Sequence, residues 1–261
     1  MSNISSQAYV HPEAKLGENI TVEPFAFIDK NVEIGDGTTI MSGANIRYGS
    51  RVGKNCQVSP GAVVGGVPQD LKFKGEDTLA IIGDNTMIRE CVTVNRGTAS
   101  RGHTIVGKNC LLMAYSHIAH DCVLGNSIIV GNATQLAGEV EIDDFAILSG
   151  GTLIHQFTRV GSHVMIQGGT RLGKDIPPYI IAGREPVCYS GVNLIGLRRH
   201  GFSNEKINEI QEIYRTIYQS GYNFTDAVKK IEAEFEETPE MKLIVEFVKS
   251  SPRGIVRGYM G

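Results

Sequence analysis

The sequence has no tryptophan, and aromatic residues make up only 7% of it. A core without bulky rings has to be filled by Ile, Leu, Val and small residues, which suits a thin, regular object better than a bulky globule. There is no excess of positive charge: 25 Lys and Arg stand against 28 Asp and Glu, a formal net charge of -3. This argues against nucleic acid as a partner. No stretch approaches the roughly 18 consecutive apolar residues of a membrane span. The opening MSNISSQAYVHPEAK lacks the basic-then-apolar plan of an export signal. The expected setting is cytoplasmic, with no stable membrane insertion. Five cysteines without a CxxC pair do not form a disulfide framework in that setting.

What is abundant is glycine, with 31 residues, and a repeat. Of the 28 positions spaced six apart from Val10 to Leu172, 25 carry Ile, Leu or Val, where about a quarter is the chance expectation. The exceptions, Asp70, Glu76 and Ser100, mark two excursions, near 65–81 and 95–105, that leave the repeat and return in phase. Four residues after the aliphatic, a second register is limited mostly to small residues, among them Ala26, Ala44, Cys56, Ala62, Cys110 and Cys122. Those three cysteines therefore read as packing, while Cys91 and Cys188 fit no nucleophile motif.

A period of six matches neither the 3.6 of a helix nor simple alternation, but it fits a short strand plus a corner with one aliphatic per side pointing inward. Three sides make a coil of 18 residues, so the fold class is mainly β, a parallel β-helix rising roughly 4.8 Å per coil. Glycines recur at the coil period, at Gly17, Gly35, Gly53, Gly107, Gly125 and Gly161, as a corner needing a relaxed backbone would require. After Pro177-Pro178 the pattern becomes helical. Ser203 caps a segment ended by Gly221, Thr225 or Asp226 starts a second, and Pro239 opens a third. The expected domains are residues 1–184, the β-helix, and residues 185–261, a small α-helical C-terminal domain.

The densest group of reactive side chains is Ser116-His117-Ile118-Ala119-His120-Asp121-Cys122. Ile118 points inward, so His117 and His120 fall on outer positions, where an imidazole titrates near neutrality and can act as a base. Asp121 is placed to orient it, as in hydrolytic triads. Taken alone the cluster is equally compatible with plain surface histidines. Stepping along coils from His120 adds Gly138, whose bare backbone N–H can face an oxyanion, and Gln156, preceded by His155.

His-Ile-Ala-His-Asp-Cys at 117–122, Gln-Asp-Leu-Lys-Phe at 69–73, Ile-Arg-Glu-Cys-Val-Thr-Val-Asn-Arg-Gly-Thr at 88–98 and His-Gln-Phe at 155–157 closely resemble the UDP-N-acetylglucosamine acyltransferases of lipid A biosynthesis. So does Gly-Val-Asn-Leu-Ile-Gly-Leu-Arg-Arg-His-Gly-Phe at 191–202. The resemblance implies a left-handed coil and a homotrimer with active sites between subunits. It implies His120 as general base supported by Asp121, and the Gly138 N–H as oxyanion donor. The base takes the proton of the glucosamine 3-hydroxyl, which attacks the thioester of an (R)-3-hydroxyacyl chain on acyl carrier protein. Gln69, Asp70, Lys72, His117, His155 and Gln156 match positions on the sugar or acyl donor, Asn193 and Arg199 the nucleotide side, and Gly168 a gate of the acyl groove. The implied partners are acyl carrier protein and a UDP-sugar, with no metal and no bound cofactor. Two alternatives share the repeat: a 3-amino sugar N-acyltransferase, and a gamma-type carbonic anhydrase, whose usual His-x4-His spacing is absent here.

Overall fold

An aliphatic every sixth residue closes the chain into a coil with three faces. The computed structural model describes residues 2–258. Most of its strands are only two residues long, one side chain out and one in. In the strand His117–Ile118, for example, Ile118 is fully buried and His117 looks outward. Among the described residues the strands stack into three sheets of 12, 9 and 8 strands, one per face. The first face runs from Asn3–Ile4 to Met165–Ile166 before the C-terminal strands join it. The second runs from Tyr9–Val10 to Arg171–Leu172 and the third from Lys15–Leu16 to Arg159–Val160. Pairing along the coils is parallel, as expected of a β-helix. Each fully buried Ile, Leu or Val contributes about 1.5–3 kcal/mol, and nearly every coil supplies three.

Regular coils pair residues 18 apart, as in His117 with Gln135 and Ile118 with Leu136. Around the excursions the spacing lengthens by whole repeats: Val52 pairs with Ile82, 30 residues on, and Ile82 with Val106, 24 residues on. Both loops therefore return in phase, which is why Asp70, Glu76 and Ser100 sit outside the aliphatic register.

The coil-period glycines have a different cause from the expected one. Gly17, Gly35, Gly53, Gly107, Gly125 and Gly161 do not adopt positive φ. A Cβ on Gly35 would lie 2.7 Å from the carbonyl carbon of Gly53, and one on Gly107 only 2.2 Å from the Gly125 oxygen. Backbone stacks directly on backbone at this corner, and no side chain fits between. Left-handed residues occupy another register, three after the inward aliphatic, from Asn19, Phe25 and Asn31 through Gly37 and Gly43 to Tyr115, Asp121, Glu139 and Phe157. Asn, Asp and Gly accept that conformation readily, whereas the aromatics hold it only because the stacked coils enforce it.

The small-residue register is buried as expected. Cys56, Cys110 and Cys122 are enclosed, and burial pushes the Cys122 thiol up to about 12, far from a nucleophile at neutral pH.

Beyond Pro177-Pro178 the chain adds Ile180–Gly183 to the first face and turns back antiparallel as Cys188–Val192, a hairpin the helical pattern does not foreshadow. The boundary expected between 184 and 185 falls in the turn of this hairpin, and Met1 and 259–261 lie outside the described residues. Helix α1 (Leu194–Arg199) follows, capped by Asn193. Helix α2 (Asn204–Gln219) is capped by Ser203, as expected. Helix α3 (Phe224–Glu234) starts earlier than Thr225 or Asp226: its cap is Asn223, whose Oδ1 accepts the Asp226 N–H at 2.9 Å. Helix α4 (Pro239–Lys249) has Pro239 in its first turn behind Thr238. The buried Tyr214 of α2 donates its hydroxyl to the Pro178 carbonyl and ties the helices to the end of the coil. No helix among the described residues is long and apolar enough to cross a membrane.

Candidate active site

The corner that follows His117–Ile118 lies between the second and third faces and holds Ala119, His120 and Asp121. Asp121 takes the left-handed conformation, with φ of 60°, and its carboxylate is buried against residues 98–101, while the His120 side chain beside it stays 18% exposed. Nothing of Asp121 is solvent-exposed. Its Oδ1 accepts the N–H groups of Thr98 at 3.0 Å and Arg101 at 3.2 Å. Its Oδ2 accepts the Thr98 hydroxyl at 2.6 Å and meets His120 Nδ1 at 2.8 Å. Burial pushes this carboxyl upward, but the bonds from Thr98, His120 and Arg101 outweigh it and hold the group below the usual carboxylate range. Asp121 is therefore an anion at neutral pH. An anion on Nδ1 fixes the proton there and leaves the Nε2 lone pair pointing outward.

One coil on, Gly138 lies directly against the imidazole: a Cβ there would sit 2.6 Å from both Cε1 and Nε2 of His120. Only glycine lets the ring occupy this place. The corners are locked in register by the Glu139 N–H on the His120 carbonyl at 3.0 Å and the Phe157 N–H on the Gly138 carbonyl at 3.2 Å. The expected column of His120, Gly138 and Gln156 is thus brought together.

His117 sits just before this corner, its Nδ1 2.7 Å from Thr93 Oγ1 on the preceding coil. Burial, with His120 nearby, pushes its pKa below the usual imidazole range, so it is neutral. A mainly apolar groove runs along this face, lined among others by His117, Gln135, Leu153, His155 and Arg171. It reaches the corner, because Ala119, Ala137 and His155, the residues immediately before His120, Gly138 and Gln156, also line it. His155 and Gln156 are exposed, with His155 Nδ1 3.1 Å from the Gln156 carbonyl.

The remaining predicted residues lie on other elements. Gln69 and Lys72 are exposed and Asp70 half-buried on the first excursion. Gly168 is exposed at a corner between the first and second faces. Arg199 is exposed at the end of α1. Asn193 is buried, and its amide is used within the chain: Oδ1 accepts the Gly196 N–H at 3.2 Å and Nδ2 donates to the His163 carbonyl at 2.9 Å. Sequence reasoning missed Thr93, Thr98 and Arg101, none of which stands a multiple of 18 from the residue it holds. The one available signal was the break in phase at Ser100, which marked a loop in this part of the coil. Among the described residues no group of three or more His, Cys, Asp or Glu side chains converges as a metal site.

The chain matches a family model described as Udp N-acetylglucosamine O-acyltransferase, domain 2, over residues 175–256. A bacterial transferase hexapeptide model of six repeats matches residues 31–66 and 103–138. An acyl-[acyl-carrier-protein]–UDP-N-acetylglucosamine O-acyltransferase of Campylobacter concisus is 37% identical, the match covering 98% of this chain and 97% of that protein. The enzyme of the same name from Thermodesulfovibrio yellowstonii is 39% identical over 98% of this chain and 100% of its own length. A crystal structure of a UDP-N-acetylglucosamine acyltransferase from Bacteroides fragilis is 61% identical and superposes with a TM-score of 0.96, covering 97% of this chain and 100% of that one. With coil, corner and helical cap all accounted for at these identities, the chain belongs to the family of UDP-N-acetylglucosamine O-acyltransferases.

Proposed function

We propose that this protein moves an (R)-3-hydroxyacyl chain from acyl carrier protein to the glucosamine 3-hydroxyl of UDP-N-acetylglucosamine, the first step of lipid A biosynthesis, with His120 as general base. The observation that carries the residue assignment is the His120–Asp121 pair, 2.8 Å apart, with the carboxylate fully buried and Nε2 facing outward over Gly138. Nε2 takes the proton of the 3-hydroxyl as its oxygen attacks the thioester carbonyl, and the buried carboxylate stabilises the imidazolium that forms. The tetrahedral oxyanion is met by the Gly138 N–H, which makes no hydrogen bond to the chain among the described residues. Collapse breaks the carbon–sulfur bond, the imidazolium returns its proton to the departing thiolate, and the ester remains on the sugar. No step needs a metal or a cofactor.

His117, His155, Gln156, Gln69, Asp70 and Lys72 contact the sugar or the acyl donor, Asn193 and Arg199 serve the nucleotide side, and Gly168 borders the acyl groove. These positions are spread over the coil, its first excursion and helix α1, and we infer that the complete site draws on a second copy. An apolar column on the outer side of the first face supports a homotrimer. Met87, Leu111, Ile129, Ile147, Met165 and Ile181 are neighbours in register, each on the outward side of its strand. A half-exposed column of this composition is the kind of surface a partner copy covers. The reaction is placed in the cytoplasm, where acyl carrier protein is found.

The test is incubation of the purified protein with UDP-N-acetylglucosamine and a panel of (R)-3-hydroxyacyl carrier proteins, followed by mass spectrometry. The expected product is the mono-O-acylated sugar nucleotide with release of free carrier protein. Acylation only of a 3-amino analogue would transfer the protein to the amide-forming alternative. Light scattering should give a trimer, and a monomer retaining full specific activity on dilution would overturn the shared site.

A further inference from the structure

The second excursion does more than interrupt the repeat. At one end it grips the first excursion. The Asn95 Nδ2 donates to the Val67 carbonyl at 2.8 Å and the Arg96 N–H to the Gly66 carbonyl at 2.9 Å. The Arg96 guanidinium lies over two rings, its central carbon 5.2 Å from the ring centre of Phe73 on the first loop and 5.5 Å from that of Tyr48. Tyr48 in turn donates its hydroxyl to Asp77 at 3.0 Å. At the foot of the loops the Thr78 hydroxyl donates to the Gly97 carbonyl at 2.6 Å, and Leu79 exchanges backbone bonds with Gly97 and Gly102 at 3.1 and 3.0 Å. At its other end the same segment supplies three of the four donors on the Asp121 carboxylate, two from Thr98 and one from Arg101. Thr104 accepts the Asp121 N–H at 2.8 Å. The Arg101 side chain is ion-paired to Glu141, which anchors the segment two coils further on.

We infer that residues 95–105 form a brace for the reaction, in which Arg96 is a positioning residue for the loop bearing Asp70 and Lys72, and Thr98 is a positioning residue for the His120–Asp121 pair. The inference rests on the reaction proposed above and names groups that touch no substrate themselves. The physical reasons differ at the two ends. Asp70 and Lys72 ride a stretch with no regular structure, 67–78, whose tip residue Leu71 is completely exposed, so its placement depends on what holds its flanks. A guanidinium over both the Phe73 and Tyr48 rings joins the loop to the coil through a contact that holds only within about 6 Å of each ring centre. Asp121 sits in the left-handed region, and its carboxylate stays aimed at His120 because Thr98 binds both of its oxygens. Losing the hydroxyl frees Oδ2 to rotate away from Nδ1, and the base loses both its tautomer and its aim.

The two ends therefore predict opposite kinetic signatures, which a brace of purely structural importance does not. Thr98→Val, which keeps size and the backbone donor, should lower kcat by about 10- to 100-fold with the KM for UDP-N-acetylglucosamine unchanged. Thr98→Ser should recover most of the lost turnover. Arg96→Met should raise that KM by about tenfold with kcat within a few-fold of wild type, and should speed protease cleavage within 67–78. Arg96→Lys should fall between, because a point charge stacks less well than a plane. A common fall in kcat in Thr98→Val and Arg96→Met, with KM unmoved, Thr98→Ser unrecovered and 67–78 cut no faster than in wild type, overturns the inference. Protease cleavage reads the loop end without turnover, so an inactive wild type would remove the proposed reaction while the seating of the loop by Arg96 would still be decided.

Discussion

Replacing Gly138 by alanine adds one methyl group directly against the His120 ring. The new Cβ would stand 2.6 Å from Cε1 and Nε2 of His120, where carbon contacts are normally about 3.5–4.0 Å. One of the two must move by about 1 Å. Gly138 does not adopt positive φ and its backbone is locked between coils, so the ring moves, stretching the 2.8 Å bond to Asp121. A displacement of that size at a reacting group costs on the order of 10²-fold in rate. The fold should hardly notice, because the atoms that give way belong to a partly exposed side chain. Alanine also restricts the unfolded chain, by about 0.4–1 kcal/mol in favour of folding. The Gly138 N–H survives the substitution, so the proposed oxyanion donor is not what is lost. Steady-state turnover and thermal melting of Gly138→Ala should show a kcat reduced about 100-fold with a melting temperature near that of wild type. A well-folded Gly138→Ala enzyme with kcat within twofold of wild type would refute the reasoning, since the base then does not act from the place where the imidazole sits.

The stacking corner predicts that Gly35→Ala, whose Cβ meets backbone at 2.7 Å, lowers the melting temperature more than Gly43→Ala. Gly43 has φ of 72° and open space, so alanine there costs only about 1–2 kcal/mol of left-handed strain; the reverse order would contradict the packing argument. A Cβ on Gly168 meets the Gly150 oxygen at 3.3 Å and Ser149 Cβ at 3.9 Å, so Gly168→Met should fold. Each methylene it excludes from the groove forfeits about 0.8 kcal/mol, and competition between long and short acyl carrier proteins should show a preference shifted several carbons shorter; equal preference in both enzymes points to another gate. His163 is held at about 4 by burial and by His200, which faces it Nδ1 to Nδ1 at 2.8 Å. The unfolded chain takes up that proton near pH 6.5 and the folded one only near 4. The unfolded state thus binds more protons in this window, and stability falls as pH drops through it. Melting temperatures at pH 7, 6 and 5 should decline in wild type and decline less in His163→Phe; parallel slopes would remove His163 as the cause.

The coil was legible because one physical demand, an aliphatic pointing inward on each side, repeats in a single residue class. Positions such as Ile118 and Leu136 announce themselves. The left-handed register was not legible, because its demand is on the backbone: Asp121, Glu139, Phe157 and Asn19 satisfy it with unrelated side chains. The coil-period glycines were visible, but sequence alone does not separate a glycine required by torsion from one required by the next coil's backbone. The His120–Asp121 pair was legible through adjacency and the coil step. Thr98 and Arg101 were not, because the excursion that carries them breaks the step that relates neighbours. In α3 the cap lies at Asn223 and not at Thr225 or Asp226, since all three residue types can cap and only the geometry chooses.

The central claim is that His120, oriented by Asp121, is the base for acyl transfer from acyl carrier protein to the sugar hydroxyl. It is tested most directly by single-turnover kinetics of His120→Ala with (R)-3-hydroxyacyl carrier protein and UDP-N-acetylglucosamine, beside a thermal melt of the same sample. The side chain is partly exposed and lies outside the aliphatic core, so the account predicts an unchanged melt and a rate lower by about 10² to 10⁴-fold. A folded His120→Ala protein that transfers the acyl chain at the wild-type rate would contradict it.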